Sequence, residues 1–249
     1  MTKRVISVFL CVLCVISSIS FIVSAKENKE YTSDNFLSVA DGIIAWKKAD
    51  NGSEPDGYLI NDKYLENAGT TPGDWYPIAL GRLGIQDNNE GYLAVIKDRV
   101  EERYRESGRL SAAKATEWHR IALAVLAMGG DPTNFGTDEN GAPINLIADG
   151  TYDRGKTTPL GRQGINGWIW GLITLDSMRY AVHDGAYNTR DDIIVEIISK
   201  QLSDGGFALS SDDADPDITA MAITALAPYY NSEKIYSYHR KALSADESK

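Results

Sequence analysis

The sequence predicts an all-α protein built from repeated helical hairpins. A ten-residue pattern that begins with a polar residue and ends with leucine occurs four times, at residues 74–83, 117–126, 166–175 and 217–226. Successive copies start 43, 49 and 51 residues apart, a period typical of two-helix repeats. The segments between them carry turn-forming Gly, Asp and Pro and show no sustained alternation of apolar and polar residues. Few strands are therefore expected.

The repeated segments predict the inner helices of such an array. They are rich in Ala and Gly and apolar on nearly all sides, as in helices that are buried all round. We place these helices near residues 72–84, 114–128, 164–178 and 216–230, with a further helix beginning after Asn231.

Amphipathic segments lie between the inner helices and predict an outer layer. They cover residues 33–48, 89–106 and 190–202. Each places its apolar residues on one face, and one-sided helices belong on the outside of a helical array. The alternation predicts a ring of about four to five hairpins. This number is low for a closed ring, and an open end would expose apolar faces that promote association.

Residues 1–25 resemble a secretory signal peptide. Lys3 and Arg4 precede an apolar stretch over 5–21, and a small-residue cleavage site ends at Ala25, which predicts a mature domain of residues 26–249. An uncleaved membrane anchor is the alternative. Both cysteines, Cys11 and Cys14, lie within this segment. The mature chain would then have no disulfide, thiol nucleophile or thiolate metal site.

The charge balance limits the classes of partner that the chain is expected to bind. The chain has 25 Lys and Arg against 35 Asp and Glu, a formal net charge of −10, which disfavours nucleic acid and anionic membranes as partners. The sequence predicts a secreted or cell-surface protein that has no contact with a membrane after signal cleavage. It contains no motif for a cofactor and no spaced set of metal ligands.

Several motifs resemble those of the terpenoid-cyclase and protein-prenyltransferase α/α-toroid superfamily. The similarity covers residues 31–243, and within the superfamily it is greatest to secreted bacterial proteins with prenyltransferase/squalene-oxidase repeats. The motifs that carry it lie at residues 163–167, 175–177, 201–207 and 215–226. The resemblance implies an incomplete α/α toroid. The same fold in animal cobalamin carriers implies a binding role by analogy.

Asp215 and Asp217 are the candidate catalytic residues if the chain is an enzyme. The resemblance aligns residues 215–220 with the Asp-x-Asp-Asp-Thr-Ala motif of class II cyclases, in which the middle Asp protonates an alkene. Ile218 replaces the third acid here, which removes support from that strong acid. The other interpretations of this cluster are a helix N-cap and a cation site that adds Asp212 and Asp213.

The starts of the inner helices supply the candidate ligand-binding residues. Acids and amides recur at the same point of each repeat and tryptophans follow them, so both could rim one mouth of the ring: Asp74, Trp75, Glu117, Trp118, His119, Asn166, Trp168, Trp170 and Asp217. Carboxylates accept hydrogen bonds from hydroxyl groups and indoles stack on rings, which suits a glycan, another polyhydroxylated ligand or a cation. Helix caps and tryptophans packed between layers remain the structural alternative.

Three functions follow from these observations. The first is an exported module that binds a small molecule or glycan at the inner-helix mouth without catalysis. The second is an enzyme of the same superfamily, either terpenoid-cyclase-like through Asp217 and Asp215 or carbohydrate-active through Asp74, Glu117 and Asp217. The third is a structural surface module whose open end docks a further domain or chain that completes the ring.

Overall fold

The protein is mostly helical. A computed structural model describes residues 33–153, 159–234 and 236. It is 57% helical, with nine α-helices and no strand in the part that it describes, which confirms the all-α class. The chain divides into two units, Met1–Asp50 and Asn51–Lys249.

The first unit contributes helix α1 (Ser33–Asn51), which ends one residue into the second unit. Its start matches the amphipathic segment predicted at residues 33–48. No residue of α1 is buried, and its apolar side chains Phe36 and Ile43 are exposed. Lys47 near its end pairs with Asp50 at 2.7 Å. No described helix is long and apolar enough to cross a membrane.

The second unit holds the four predicted inner helices and two predicted outer ones. In chain order its helices are α2 (Asp62–Leu65), α3 (Thr71–Leu83), α4 (Asn89–Ser107), α5 (Thr116–Ala127), α6 (Leu146–Gly150), α7 (Ile165–Asp176), α8 (Arg190–Ser199) and α9 (Pro216–Leu226). Helices α3, α5, α7 and α9 lie where inner helices were predicted, and α4 and α8 where outer helices were.

The inner helices pack in chain order. Helix α3 packs on α5, α5 on α7, and α7 on α9. Glycines let the backbones approach: a Cβ atom at Gly81 would lie 2.0 Å from the carbonyl oxygen of Ala127. A Cβ atom at Gly167 would lie 1.8 Å from the carbonyl oxygen of Leu160. These contacts explain why the inner helices carry small residues.

Local sequence signals set the helix ends. Helices α3 and α4 end at Gly84 and Gly108, whose φ angles of 70° and 66° are left-handed, a conformation that glycine adopts without a steric cost. Helix α8 begins with a capping box, in which the Thr189 side chain accepts from the Asp192 amide and the Asp192 side chain accepts from the Thr189 amide.

Helix α4 covers the inner layer with one face. Its residues Tyr92, Ile96, Val100 and Tyr104 recur every four positions and are all buried. This spacing places them on one side of a helix. The Tyr92 hydroxyl donates to Asp74 of α3, and the Tyr104 hydroxyl accepts from Trp118 of α5. Helix α4 therefore buries one face, as its amphipathic pattern predicts.

Two short helices, α2 and α6, are absent from the sequence-based prediction. Each is five residues or fewer, too short to show a 3.6-residue period. The loop before α6 is held by an isolated bridge between Thr137 and Pro143. The predicted signal peptide at 1–25 and most of the helix expected after Asn231 lie outside the described residues.

Candidate functional site

A buried ion-pair network joins the starts of α3 and α5. Asp74 is fully buried and accepts hydrogen bonds from the Gly69 amide at 2.7 Å, the Tyr92 hydroxyl at 2.7 Å and Arg120 Nε at 2.8 Å. Arg120 also donates to the Gly69 carbonyl at 3.1 Å and to Thr71 Oγ1 at 3.2 Å. These contacts satisfy the charge of Asp74 inside the protein.

Glu117 completes this network. Arg120 donates to both of its carboxylate oxygens, at 2.6 and 3.1 Å, and Arg103 donates to it at 3.3 Å. Burial works to raise the pKa of Glu117, but the hydrogen bonds and charge of Arg120, together with Arg103, hold that pKa below its ordinary value. Asp74 and Glu117 thus share one guanidinium, and both carboxylates act as its structural partners.

Trp118 and His119 lie in the core behind this network. The Trp118 indole is fully buried and its Nε1 donates to the Tyr104 hydroxyl at 2.8 Å. His119 Nε2 donates to the Gly150 carbonyl at 2.7 Å. Asp74, Trp118 and His119 are all buried, so none of the three is accessible to a ligand in the described structure. Their burial corrects the expectation that every residue of this set rims an open mouth.

Trp75 and Trp170 come together on one side of α5. Their ring centroids are 5.6 Å apart and their planes are inclined by 55°. Trp75 is 43% exposed, and Trp170 is half-buried. Asn166 lies one turn before Trp170 on the same side of α7, and its Oδ1 is buried with no hydrogen-bond donor among the described residues. We call Trp75, Trp170 and Asn166 the indole face.

The indole face takes its residues from α3 and α7, the two helices that pack on α5. Packed helix axes lie about 8–10 Å apart, so α3 and α7, on either side of α5, would stand about twice that distance apart in a flat layer. Contact between their indoles requires both side chains to project on the same side of α5.

The remaining predicted residues have separate positions. Trp168 is half-buried and packs against the 3₁₀ turn Leu160–Gln163, where a Cβ atom at Gly161 would lie 2.9 Å from its Nε1. Asp215 and Asp217 are exposed. Asp215 is the N-cap of α9 and accepts from the amides of Asp217 and Ile218 at 2.8 and 3.0 Å. The helix-cap interpretation of Asp215 is thus confirmed.

A polar cleft that the sequence did not predict lies beside α6. It encloses about 360 Å³, and aromatic, amide and carboxylate groups line it together: Tyr104, Asp138, Asn145, Asp149, Tyr152, Asp153 and His183. Five of these residues lie in the long segment between α5 and α7. The polar and aromatic composition of that segment could have indicated a polar cleft from the sequence, although the conformation of the segment was not predictable.

An apolar groove of about 560 Å³ lies between α8, α9 and the residues that follow α9. Isoleucines and aromatic residues make up most of its wall, including Ile194, Ile198, Phe207, Ile223, Tyr229 and Tyr230. Ile223 is 61% exposed.

The described residues contain no group of three His, Cys, Asp or Glu side chains that could hold a metal ion. Comparison with models of protein families, with curated proteins and with solved structures found no match to the chain.

Proposed function

We propose that this chain is an exported α/α-toroid module that binds a small molecule or glycan on its indole face, without catalysis. The observation that carries the proposal is the contact between Trp75 and Trp170, two partly accessible indoles supplied by different helices. Paired aromatic side chains with a nearby polar group are typical of ligand sites. The proposal that the protein is exported rests on residues 1–25, which resemble a signal peptide.

The α/α-toroid architecture is supported by the order of helix packing. Inner helices contact one another in sequence, amphipathic helices lie between them in the chain, and the indoles of α3 and α7 meet across α5. We expect the ring to be open, with a further domain or chain as the partner that completes it.

A glycan is the ligand class that the indole face suits best. Indoles offer flat apolar surfaces to the C–H faces of a sugar ring, and the partly accessible rings of Trp75 and Trp170 supply two of them. No charged side chain belongs to the face, so the proposal invokes neither an acidic nor a basic ligand.

The proposal is tested by titrating the purified protein with soluble cello-, chito- and malto-oligosaccharides. Tryptophan fluorescence and calorimetry would follow the binding. Trp75→Ala and Trp170→Ala should each weaken the affinity by about tenfold, because each removes a stacking surface worth about 1 kcal/mol or more. Trp46→Ala on α1 is the matched control, since Trp46 is an exposed indole outside the face. Equal losses in all three variants would contradict the proposal.

The enzyme alternative receives less support. Asp74 and Glu117 are committed to Arg120, so neither is available as an acid or a nucleophile for a glycosidic bond. Asp217 is exposed, whereas a carboxylic acid strong enough to protonate an alkene needs a dry cavity.

Docking of another chain is a second candidate function, favoured by the apolar groove beside α9. Exposed apolar surfaces rimmed by polar residues mark interaction sites, and Gln201 and Lys234 lie at this rim. We propose a second copy of this chain as the occupant, because a symmetric dimer buries the same apolar surface of both molecules at once. Light scattering of the wild type against Ile223→Glu tests it: a dimer that dissociates in the variant is expected, and a monomeric wild type would contradict it.

A further inference from the structure

Two apolar surfaces of the described chain remain exposed, and their shapes differ. One is the groove between α8 and α9, and the other is a stripe of side chains on α1. We infer that α1 of one copy lies in the groove of a second copy, and that the exchange is reciprocal. This inference rests on the proposal that the groove takes a second copy, and it names the segment of that copy that enters.

The stripe on α1 consists of four large apolar side chains at the spacing of a coiled-coil seam. Phe36, Val39, Ile43 and Trp46 follow one another at intervals of three, four and three residues, which places them on one face of a helix. Each of the four is at least 50% exposed, and α1 has no buried residue. Because a helix of a soluble protein normally covers its apolar face, this stripe has the composition of a contact surface.

Small residues lie on both sides of the stripe. Ala40 and Gly42 occupy the heptad positions that flank the seam, and a Cβ atom at Gly42 would meet no atom within 4 Å. Gly81 and Gly167, in contrast, lie against a neighbouring backbone. Glycine inside a helix is unfavourable relative to alanine, and no contact among the described residues accounts for it at Gly42. Narrow flanks let the stripe project from α1 as a ridge.

The groove has the form that accepts such a ridge. Helices α8 and α9 both pack on α7, and the groove of about 560 Å³ lies between them. Ile194 and Ile198 line it from α8, and Ile223 and Leu226 line it from α9. Amphipathic helices bind in apolar grooves through residues at i, i+3, i+4 and i+7. The first three residues of the stripe stand at i, i+3 and i+7, so α1 has the spacing that this mode of binding needs.

A second copy is the occupant that covers both kinds of surface. The stripe and the groove are both exposed in the single chain, and a reciprocal dimer covers two stripes and two grooves at once. Residues 237–249 have only Tyr238 and Leu243 as large apolar or aromatic side chains, which would leave most of the groove uncovered. Since an aromatic side chain alone buries about 150–250 Å², the reciprocal contacts reach the roughly 1,200–2,000 Å² of a stable interface.

The test uses the full purified protein, with sedimentation velocity and light scattering as readouts. Ile43→Glu places a charge in the stripe. Ala45→Glu is the matched control, because Ala45 is exposed on the opposite face of α1. Both positions are exposed, so neither substitution removes a core contact, and circular dichroism checks the fold. We expect a dimer for the wild type and for Ala45→Glu. Association of Ile43→Glu should be weaker by about a hundredfold or more, because its dimer would bury two unpaired charges.

Mixing two defective variants tests the exchange itself. Ile43→Glu has a damaged stripe and an intact groove, whereas Ile223→Lys has an intact stripe and a damaged groove. Each variant alone should be monomeric, and a mixture of the two should form a heterodimer. In that heterodimer one helix–groove contact is intact, and the other brings a glutamate near a lysine. A fluorescent label on one variant reports its entry into the dimer.

The outcomes separate this inference from the docking proposal on which it rests. If Ile43→Glu stays dimeric while Ile223→Lys is monomeric, the inference is overturned and the groove remains the interface. If both variants are monomeric and their mixture forms no heterodimer, the exchange of α1 is overturned as well. A monomeric wild type would overturn the docking proposal and the inference together.

Discussion

Arg120 Nε lies 2.8 Å from Asp74 in the interior of the protein, and the same guanidinium binds both carboxylate oxygens of Glu117. One arginine of α5 thus pairs with an acid of α3 and with an acid of its own helix. Asp74 and Glu117 occupy the same position in two successive repeats, and Arg120 joins them in one buried network. This network fixes how α3 packs on α5.

Asp74→Asn should destabilise the protein by about 3 kcal/mol. The substitution keeps the shape of the side chain but turns one carboxylate oxygen into an NH2 donor that faces other donors. Removal of one partner of a buried pair typically costs about 3–5 kcal/mol. Urea unfolding followed by circular dichroism measures the change. Asp98→Asn is the control, because Asp98 is exposed on α4 and its variant should change stability by less than about 0.5 kcal/mol.

The contribution of Glu117 to stability should disappear in acid. Its pKa is lowered in the folded state from a reference value of 4.5, so the unfolded chain binds its proton more readily than the folded one. The contribution is therefore present above pH 4.5 and is lost as the pH falls through the lower folded pKa. Urea unfolding of the wild type and Glu117→Gln at a series of pH values measures it. A stability difference that stays constant from neutral pH into this acid range would contradict the assignment.

Tyr104→Phe should cost about 1–3 kcal/mol, because it leaves the Trp118 indole N–H without its acceptor in a dry environment. Burial, followed by the charge of Asp149, raises the pKa of Tyr104 above its ordinary value. The phenol therefore stays protonated as a donor at neutral pH. Chemical unfolding combined with tryptophan fluorescence reports both the stability and the Trp118 environment. Unchanged stability would show that the donor chain is not formed.

Gly167→Ala and Gly171→Ala form a matched pair on α7. A Cβ atom at Gly167 would lie 1.8 Å from the backbone oxygen of Leu160, whereas one at Gly171 would meet only side-chain atoms, at 3.5 Å and beyond. Thermal unfolding should show a loss of about 2 kcal/mol or more for Gly167→Ala, from the forced backbone shift. Gly171→Ala should be neutral or stabilising by up to about 1 kcal/mol, from helix propensity. Similar changes in both variants would contradict the close packing of α7 on the 3₁₀ turn.

Helix positions were predictable from the sequence because the relevant signals are local. Polar starts and apolar repeats placed α3, α5, α7 and α9 close to their observed bounds. Amphipathic periodicity located α4 and α8 in the same way. Each of these signals acts within one helix, where a period of 3.6 residues is visible.

The site was less predictable because it depends on contacts between distant parts of the chain. Asp74 and Trp75 are adjacent in sequence, yet Asp74 pairs with Arg120 in the core and Trp75 meets Trp170 at the surface. The repeat register grouped Asp74 with Glu117 but gave no sign that Arg120 joins them. The polar cleft was missed because its loop has no repeat and its helix α6 is only five residues long.

The indole N–H signals of the five tryptophans test the central claim most directly. In a ¹⁵N-labelled sample titrated with the oligosaccharide that binds best, we predict that the signals of Trp75 and Trp170 shift together and saturate at one common affinity. The signals of buried Trp118 and of Trp46 on α1 should stay in place. Saturable binding that leaves Trp75 and Trp170 unchanged, or no binding by any oligosaccharide, would contradict a ligand site on the indole face.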